Sequence, residues 1–318
     1  MRKLGVLAVA LVALVALATA PGCGGDDRPP PAAPRRAATP QWQDAFDGTP
    51  ELLVVVRPQA IKRDGVYGNL FGAALRGALA RAPLSGTSLL EAVEASEEVV
   101  VAIHKDESGG EDAAFVLRGV AASLDPGKLV DANGRSALRL LEQRGAVAEY
   151  VPAVPGPGAR DLSLFVLPDR TWVAATGGAR TRGRQAFATP TGRPAPKLDD
   201  KALAVARFGP ELVARPRTEK SPILGPLTRK LSSATLLLDP ARAGVRLVLA
   251  YADDDATAYA EMQVKRIADG LAQSNPKRFG WLAEAKIARG VNAVTVSLPV
   301  PPRLLEELPG ASPSDLGL

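Results

Sequence analysis

EVVVAIHKDESGGEDAAFVLRGV, residues 98–120, decides the fold. Residues 98–104 are a continuous apolar run of strand length, and residues 113–120 are another. Ser108-Gly109-Gly110 between them is a turn, so the stretch reads as a β-hairpin. A second stretch of the same kind follows downstream. Residues 234–239 and 244–251 read as two strands joined across Pro240-Ala241-Arg242-Ala243. From the hairpins onward the two parts of the chain match at a shift of about 131 residues. Val116 falls on Leu247, Leu117 on Val248, and Leu167-Pro168 on Leu298-Pro299.

Working outward from the first hairpin, ELLVVVR at 51–57 is a buried strand ended by Pro58. Leu70, Phe71, Ala74, Leu75, Ala78 and Leu79 keep helical spacing, and residues 88–95 give a second short helix. Beyond the hairpin, Ser123-Leu124-Asp125-Pro126 is a helix-start signal for a helix carrying Leu129 and Val130, then Leu138 and Leu141, with a break allowed at Asn133-Gly134. Strands follow at 147–151, 162–167 and 171–175, then a short segment through Phe187. Around the second hairpin, 202–208 is a strand and 210–231 a helix broken at its prolines. Asp253-Asp254-Asp255 opens a long helix with Ala256, Ala260, Val264, Ile267 and Leu271 on one face. Asn275-Pro276 starts another helix, and 291–298 is a strand. Each part thus runs strand, helix, hairpin, helix, strand. The expected class is α+β: two similar β-α-β-β-α-β-like halves, mostly antiparallel sheets with helices packed on one face. Two sheets facing each other across a cleft and two sheets joined edge to edge both satisfy the pattern. The expected boundaries are a leader at 1–22, a tether at 23–40, a first half at 41–188 and a linker at 189–200. A second half follows at 201–310 and a tail at 311–318.

The N-terminus carries a different signal. MRKLGVLAVALVALVALATAPGC has Arg2 and Lys3 as a positive start, then an uncharged run of 17 residues at 4–20. That is the layout of a secretory signal. The run approaches the roughly 20 residues of a spanning helix, so length alone leaves an uncleaved anchor open. Cys23, the only cysteine in the chain, stands just beyond, with Gly22 before it and Gly24-Gly25-Asp26-Asp27 after it. Over residues 1–23 this resembles the lipobox of bacterial lipoproteins, with Ala20 and Pro21 departing from that family's usual residues. The resemblance implies that the Cys23 thiol receives a diacylglycerol. The leader is then cut after Gly22, and the new amino group is acylated. A single acyl chain holds a membrane only marginally, whereas two or three hold stably. Residues 24–40, GGDDRPPPAAPRRAATP, then form a Pro- and Gly-rich tether reaching about 50 Å at roughly 3.1 Å per residue.

Composition bounds the rest. Of 318 residues, 46% are hydrophobic, as in a globular chain, but only 4% are aromatic, so Leu, Val, Ala and Ile must build the core. The formal charge is +5, with two of those charges in the leader, too mild to indicate a nucleic-acid partner. His104 is the only imidazole; it ends a strand before Lys105-Asp106-Glu107 and reads as a surface or edge histidine. Ser274-Asn275-Pro276-Lys277 matches S-x-x-K by letter, but Asn275-Pro276 is a helix entry and the partner motifs are missing. Asp253-Asp254-Asp255 reads as a helix cap and Asp131-Ala132-Asn133-Gly134 as a turn, in preference to cation sites. Gly156-Pro157-Gly158 lacks the remainder of a phosphate loop. Trp42, Trp172 and Trp281 are scattered and read as packing residues. The cationic candidate is GGARTRGR at 177–184, which brings Arg180, Arg182 and Arg184 close together with Arg193 nearby. It would suit an anionic polysaccharide or lipid headgroup, or be a solvated basic face. No catalytic residue, cofactor or metal site is assigned.

The expectation is a membrane-anchored envelope lipoprotein, exported and held by lipid on Cys23 at the inner or outer membrane. Its body stands in the periplasm or at the cell surface as a non-enzymatic binding or structural module. Its partners are the membrane and an envelope protein or an anionic glycan or lipid. An envelope enzyme using carboxylates as acid and base, and a lipid or lipoprotein carrier with a cleft between the halves, are the alternatives.

Overall fold

The computed structural model describes residues 39–45, 49–64, 67–68, 87–105, 111–131, 133–154, 162–190, 202–213, 225–239, 244–299 and 301. The leader, Cys23, nearly all of the tether and the helix expected at 70–79 lie outside these residues. So do the turn at 108–110, Gly156-Pro157-Gly158, most of the linker including Arg193, and the tail.

The chain is a mixed helix-and-strand protein built on one antiparallel sheet. Its strands are β1 (Leu52–Val56), β2 (Glu98–Lys105), β3 (Glu111–Arg118), β4 (Leu138–Arg144), β5 (Val147–Pro152) and β6 (Ser163–Val166). They continue with β7 (Trp172–Ala175), β8 (Ala204–Phe208), β9 (Leu231–Asp239), β10 (Gly244–Tyr251), β11 (Lys286–Gly290) and β12 (Ala293–Pro299). They run in the order β11-β12-β10-β9-β8-β1-β2-β3-β7-β6-β5-β4. The described helices are α1 (Pro58–Arg63), α2 (Thr87–Ala95), α3 (Gly177–Ala188), α4 (Pro210–Val213), α5 (Gly225–Thr228), α6 (Asp254–Ser274) and α7 (Pro276–Phe279).

The seam is β1. LLVVV is apolar at every position because Leu52, Leu53 and Val55 are buried and Val54 and Val56 half-buried, and β-branched valines suit a pleated, packed surface. It pairs with β2 on one side, Leu52 opposite Ile103, and with β8 on the other, Leu52 opposite Phe208. All twelve strands therefore lie in one sheet, which is the edge-to-edge arrangement of the two left open by the sequence.

The helices do not share one face. Leu53, Val55, Val100, Ala102, Val116 and Val173 point to the side carrying α3, whose Ala179 and Phe187 close that core. Their alternates Val99, Leu117, Leu164 and Trp172 point to the other side, against Leu89, Ala92 and Val93 of α2. Following the register from Val99 through Val56, Ala204, Leu238 and Val245 places α6 on the α2 side. There its Ala260 packs on Leu249, Tyr251, Val294 and Val296. The expectation of helices on a single face is corrected accordingly.

A second correction concerns 126–141. Only Pro126–Lys128 turns, as a single 3-10 turn capped by the Asp125 carboxylate, which accepts from Gly127 N–H at 2.9 Å. The chain then bends at Asp131, Asn133 and Gly134. Asp131 Oδ1 accepts from the backbone N–H of Asn133 at 2.8 Å and of Arg135 at 3.0 Å, while Gly134 sits at φ 74. That left-handed glycine ends any helix, and 138–144 leaves as β4, paired with β5. Where a second helix was expected, the first half has strands. The short strand β11 was also missed; it turns back on β12 through Asn292 at φ 53.

The long helix is where the acids place it. Asp253 caps α6, accepting from Ala256 N–H at 2.8 Å, and Lys230 Nζ bonds its other oxygen at 2.8 Å. The Lys230 ammonium, then the Ala256 N–H, hold the Asp253 carboxyl below its usual range. Beneath the start of α6, the buried Tyr251 hydroxyl donates to the Leu227 carbonyl at 2.9 Å, and burial pushes its pKa up to about 12.

Three outcomes are expected. Leu53→Ala, at a side chain 1% exposed, should cost about 2–5 kcal/mol in urea unfolding. Leu140→Ala on the edge strand, 51% exposed, should stay within about 0.5 kcal/mol. Because Tyr251 has a raised pKa when folded, its contribution is complete below pH of about 10 and lost as pH climbs through about 12. Tyr251→Phe should therefore flatten the alkaline fall in the urea midpoint over that window, and an unchanged slope would count against the assignment.

Candidate functional site

The three arginines expected to converge sit on α3, and helix geometry separates them. Residues four apart lie on one side of a helix, whereas the residue midway between them is turned about 200° away. Arg180 and Arg184 accordingly reach toward β5 and β6, and Arg182 reaches toward β3.

On the first side Arg184 grips Glu149 of β5 with a fork. Nε donates to Oε1 at 2.8 Å and to Oε2 at 2.9 Å, and Nη2 donates to Oε1 at 2.7 Å. Ser163 of β6 donates from Oγ to Glu149 Oε1 at 2.6 Å, and Arg180 Nε donates to that same Oγ at 2.8 Å. Glu149 and Ser163 are both buried. A carboxylate taken out of water needs this kind of saturation, and a planar guanidinium supplies it two bonds at a time.

On the second side Arg182 bonds Asp112 of β3 through Nη2, and Asp112 is buried. The Gly178 N–H donates to Asp112 Oδ1 at 2.6 Å. A Cβ on Gly178 would meet Asp112 Oδ2 at 2.9 Å and Arg182 Nη1 at 3.0 Å, so a larger residue here would press the paired carboxylate and guanidinium aside. One turn later a Cβ on Gly183 would come within 3.2 Å of the Phe165 ring, the ring that stacks edge-on against Phe187 at 5.1 Å. His104 stands opposite Asp112 in the β2–β3 register. It is buried at 5% exposure, not on the surface as its charged flank predicts.

These contacts clamp α3 to β3, β5 and β6. An anionic glycan or headgroup at Arg182 or Arg184 would have to compete with Asp112 and Glu149 for the same forks. Beside the Glu149 cluster is a shallow depression between Glu142, Arg144, Arg184 and Phe187. At its rim Arg144 and Glu142 pair at 2.8 Å, and that contact holds the Glu142 carboxyl below its usual range.

The remaining candidates have structural positions. Asp253 and Asp131 act as cap and turn, as their sequence predicts. Asn275 closes α6 and Pro276 opens α7, so the S-x-x-K letters span a helix junction. Trp42 and Trp172 are buried in the two cores. Among the described residues no group of three or more His, Cys, Asp or Glu could hold a metal ion, and no helix is long and apolar enough to cross a membrane. Sequence reasoning missed Glu149 and Asp112. Glu149 had a signal, since it lies between Val147 and Val151 in a strand whose buried residues alternate.

Comparison with known proteins adds to the fold alone. No protein-family model matches the chain, and neither does any curated protein. Crystal forms I, III and IV of TP0453 are similar in structure, each with a TM-score of 0.50. Their sequence identities are 10%, 9% and 9%; they cover 85%, 84% and 86% of this chain and 97%, 97% and 98% of their own.

Arg184→Met should leave Glu149 buried without its fork and cost about 3 kcal/mol, the lower end for a broken buried pair because Arg184 is a third exposed. Adding Glu149→Leu should restore most of the urea midpoint. No recovery in the double variant would show that the pair does not act as a unit.

Proposed function

We propose that this chain is an envelope lipoprotein, fastened to a membrane by lipid on Cys23. Its α+β body stands off the bilayer as a non-enzymatic binding or structural module. The observation that carries the reading is the position of the chain's single cysteine. It follows the apolar run of a leader and precedes a tether of Pro and Gly. Two or three acyl chains on that sulfur and its amino group would hold the protein stably at a leaflet.

The body is read as two variants of one unit. What supports this is the mirrored strand order on either side of the seam, β1-β2-β3-β7 outward one way and β8-β9-β10-β12 outward the other. The antiparallel pairing of β1 with β8 supports it too, since a local two-fold axis relates such strands. In the second unit α6 fills the connection that β4 and β5 fill in the first. A wide platform carried on a tether suits contact with a macromolecule, and the anionic glycan or lipid reading of Arg180, Arg182 and Arg184 belongs to this proposal.

Membrane fractionation of the native protein beside Cys23→Ala tests the anchor. The native chain should sediment with membranes, and its N-terminal peptide should begin at Cys23 and carry acyl mass. The variant should lose both properties. A native N-terminal peptide that is unmodified and still joined to its leader would falsify the reading.

A further inference from the structure

Two bulky side chains that this aromatic-poor chain could have used in its core stand in water on one helix. Of the four tyrosines, Tyr67 and Tyr251 are buried and Tyr150 is half-buried, but Tyr259 on α6 is 44% exposed. Met262, the one methionine besides Met1, is 54% exposed one turn further along. At about 100° of rotation per residue, Asp255, Tyr259, Met262 and Arg266 fall within about 60° of one another. They face away from Thr257 and Ala260, which α6 buries against the sheet. All four are exposed. α5 and α7 pack on α6 and leave this ridge open. Asp255 and Arg266 have no charged partner among the described residues, whereas Lys265 and Glu261 beside the ridge satisfy each other at 2.7 Å.

The spacing of the ridge, four, three and four residues, is that of the seam between two paired helices. Its order is acid, apolar, apolar, base, which complements itself when reversed. A two-fold axis between Ala260 and Glu261 relates two antiparallel copies of α6. It sets Tyr259 against Met262 of the partner copy and Asp255 against Arg266 of the partner copy, each contact occurring twice. A parallel pair would set Asp255 on Asp255 and Arg266 on Arg266.

We propose that the outer ridge of α6 is a homodimer surface, on which a second copy of this chain docks antiparallel. Tyr259 and Met262 are desolvated at its centre, and two Asp255–Arg266 pairs at its rim fix direction and register. Tyrosine, methionine and arginine are residue types enriched where interfaces are most buried. One helix pair lies at the small end of interfaces, below about 1,200 Å², so the dimer exchanges with monomer. The symmetric contact uses the ridge of both copies and therefore stops at two. This association goes beyond the lipid-anchor reading and does not rest on it.

Sedimentation equilibrium of the full chain in excess detergent tests the surface. The leader and any acyl group are common to all variants and cancel from the comparison. The native chain should show a reversible monomer–dimer equilibrium. Tyr259→Ala and Met262→Ala should each raise the dimer Kd at least tenfold. Asp255→Arg and Arg266→Asp should each raise it about tenfold, because each sets like charges together twice. The double variant Asp255→Arg/Arg266→Asp restores opposite charges across the axis, and its Kd should return to within about threefold of native. That rescue separates pairing from folding, since the double variant carries both changes to the helix. A native chain that stays monomeric at every concentration would overturn the proposal. So would a dimer indifferent to positions 259 and 262, or a double variant no tighter than the single ones. Loss of membrane attachment in the Cys23 experiment would leave these ratios unchanged, so the two readings fail separately.

Discussion

The continuous apolar stretch of β1 is the constraint on which the rest depends. A strand paired on both sides leaves no free backbone edge, and with Leu52, Leu53 and Val55 buried and Val54 and Val56 half-buried every position of LLVVV is aliphatic. Its last residue hands over to a polar staple. Arg57 donates its backbone N–H to the Leu203 carbonyl at 2.9 Å and its guanidinium to the Ala202 carbonyl. Glu98 lies 3.6 Å from Arg57 and 2.7 Å from Arg118, which ties β1, β2 and β3 at the same end. The second part of the chain is therefore tied to the first at the entry to β8, as well as along the ladder.

The α3 face shows what a small-residue, aromatic-poor composition has to do to close a core. Two rings, Phe165 and Phe187, and the Trp42 indole supply the bulk. The polar bonds then fix where α3 sits on them. Glu149 and Asp112 are costly to bury, and apolar residues of equal volume could stabilise the body as well. A saturated ion pair, however, is satisfied in one register only, so two of them allow a single placement of the helix over β3, β5 and β6. The glycines at 178 and 183 permit that placement by letting the backbone approach.

What was legible in the sequence follows from how local each determinant is. The runs at 51–57 and 98–104 could be read because full burial leaves an unbroken apolar stretch. The start of α6 could be read because Asp253 caps it within three residues. The segment 126–141 was misread because its start signal, Asp125-Pro126, is genuine but serves a single turn. Its leucines at 138 and 141 fit a helical spacing, while pairing with β5, a non-local contact, makes them part of a strand. The clustering of Arg180, Arg182 and Arg184 was misjudged for a related reason. Nearness along the chain was taken for nearness in space, although alternate positions on a helix diverge. The partners of Arg180, Arg182 and Arg184 lie 17, 70 and 35 residues away, separations that no local pattern encodes.

Among the described residues the twelve-stranded sheet ends at β4 on one side and at β11 on the other, and an uncovered edge strand is an invitation to pair with another chain. Both are defended in this fold, and by related means. At one edge β4 carries Arg139, Glu142 and Arg144, and its register against β5 slips between Leu140 and Glu142, a bulge that disturbs a flat pairing surface. At the other edge β11 carries Lys286 and Arg289 and is only five residues long. Arginine and lysine outnumber acids on both strands, so bringing β4 of one molecule against β11 of the next would set like charges side by side. That repulsion opposes the open-ended stacking that such a long sheet would otherwise favour.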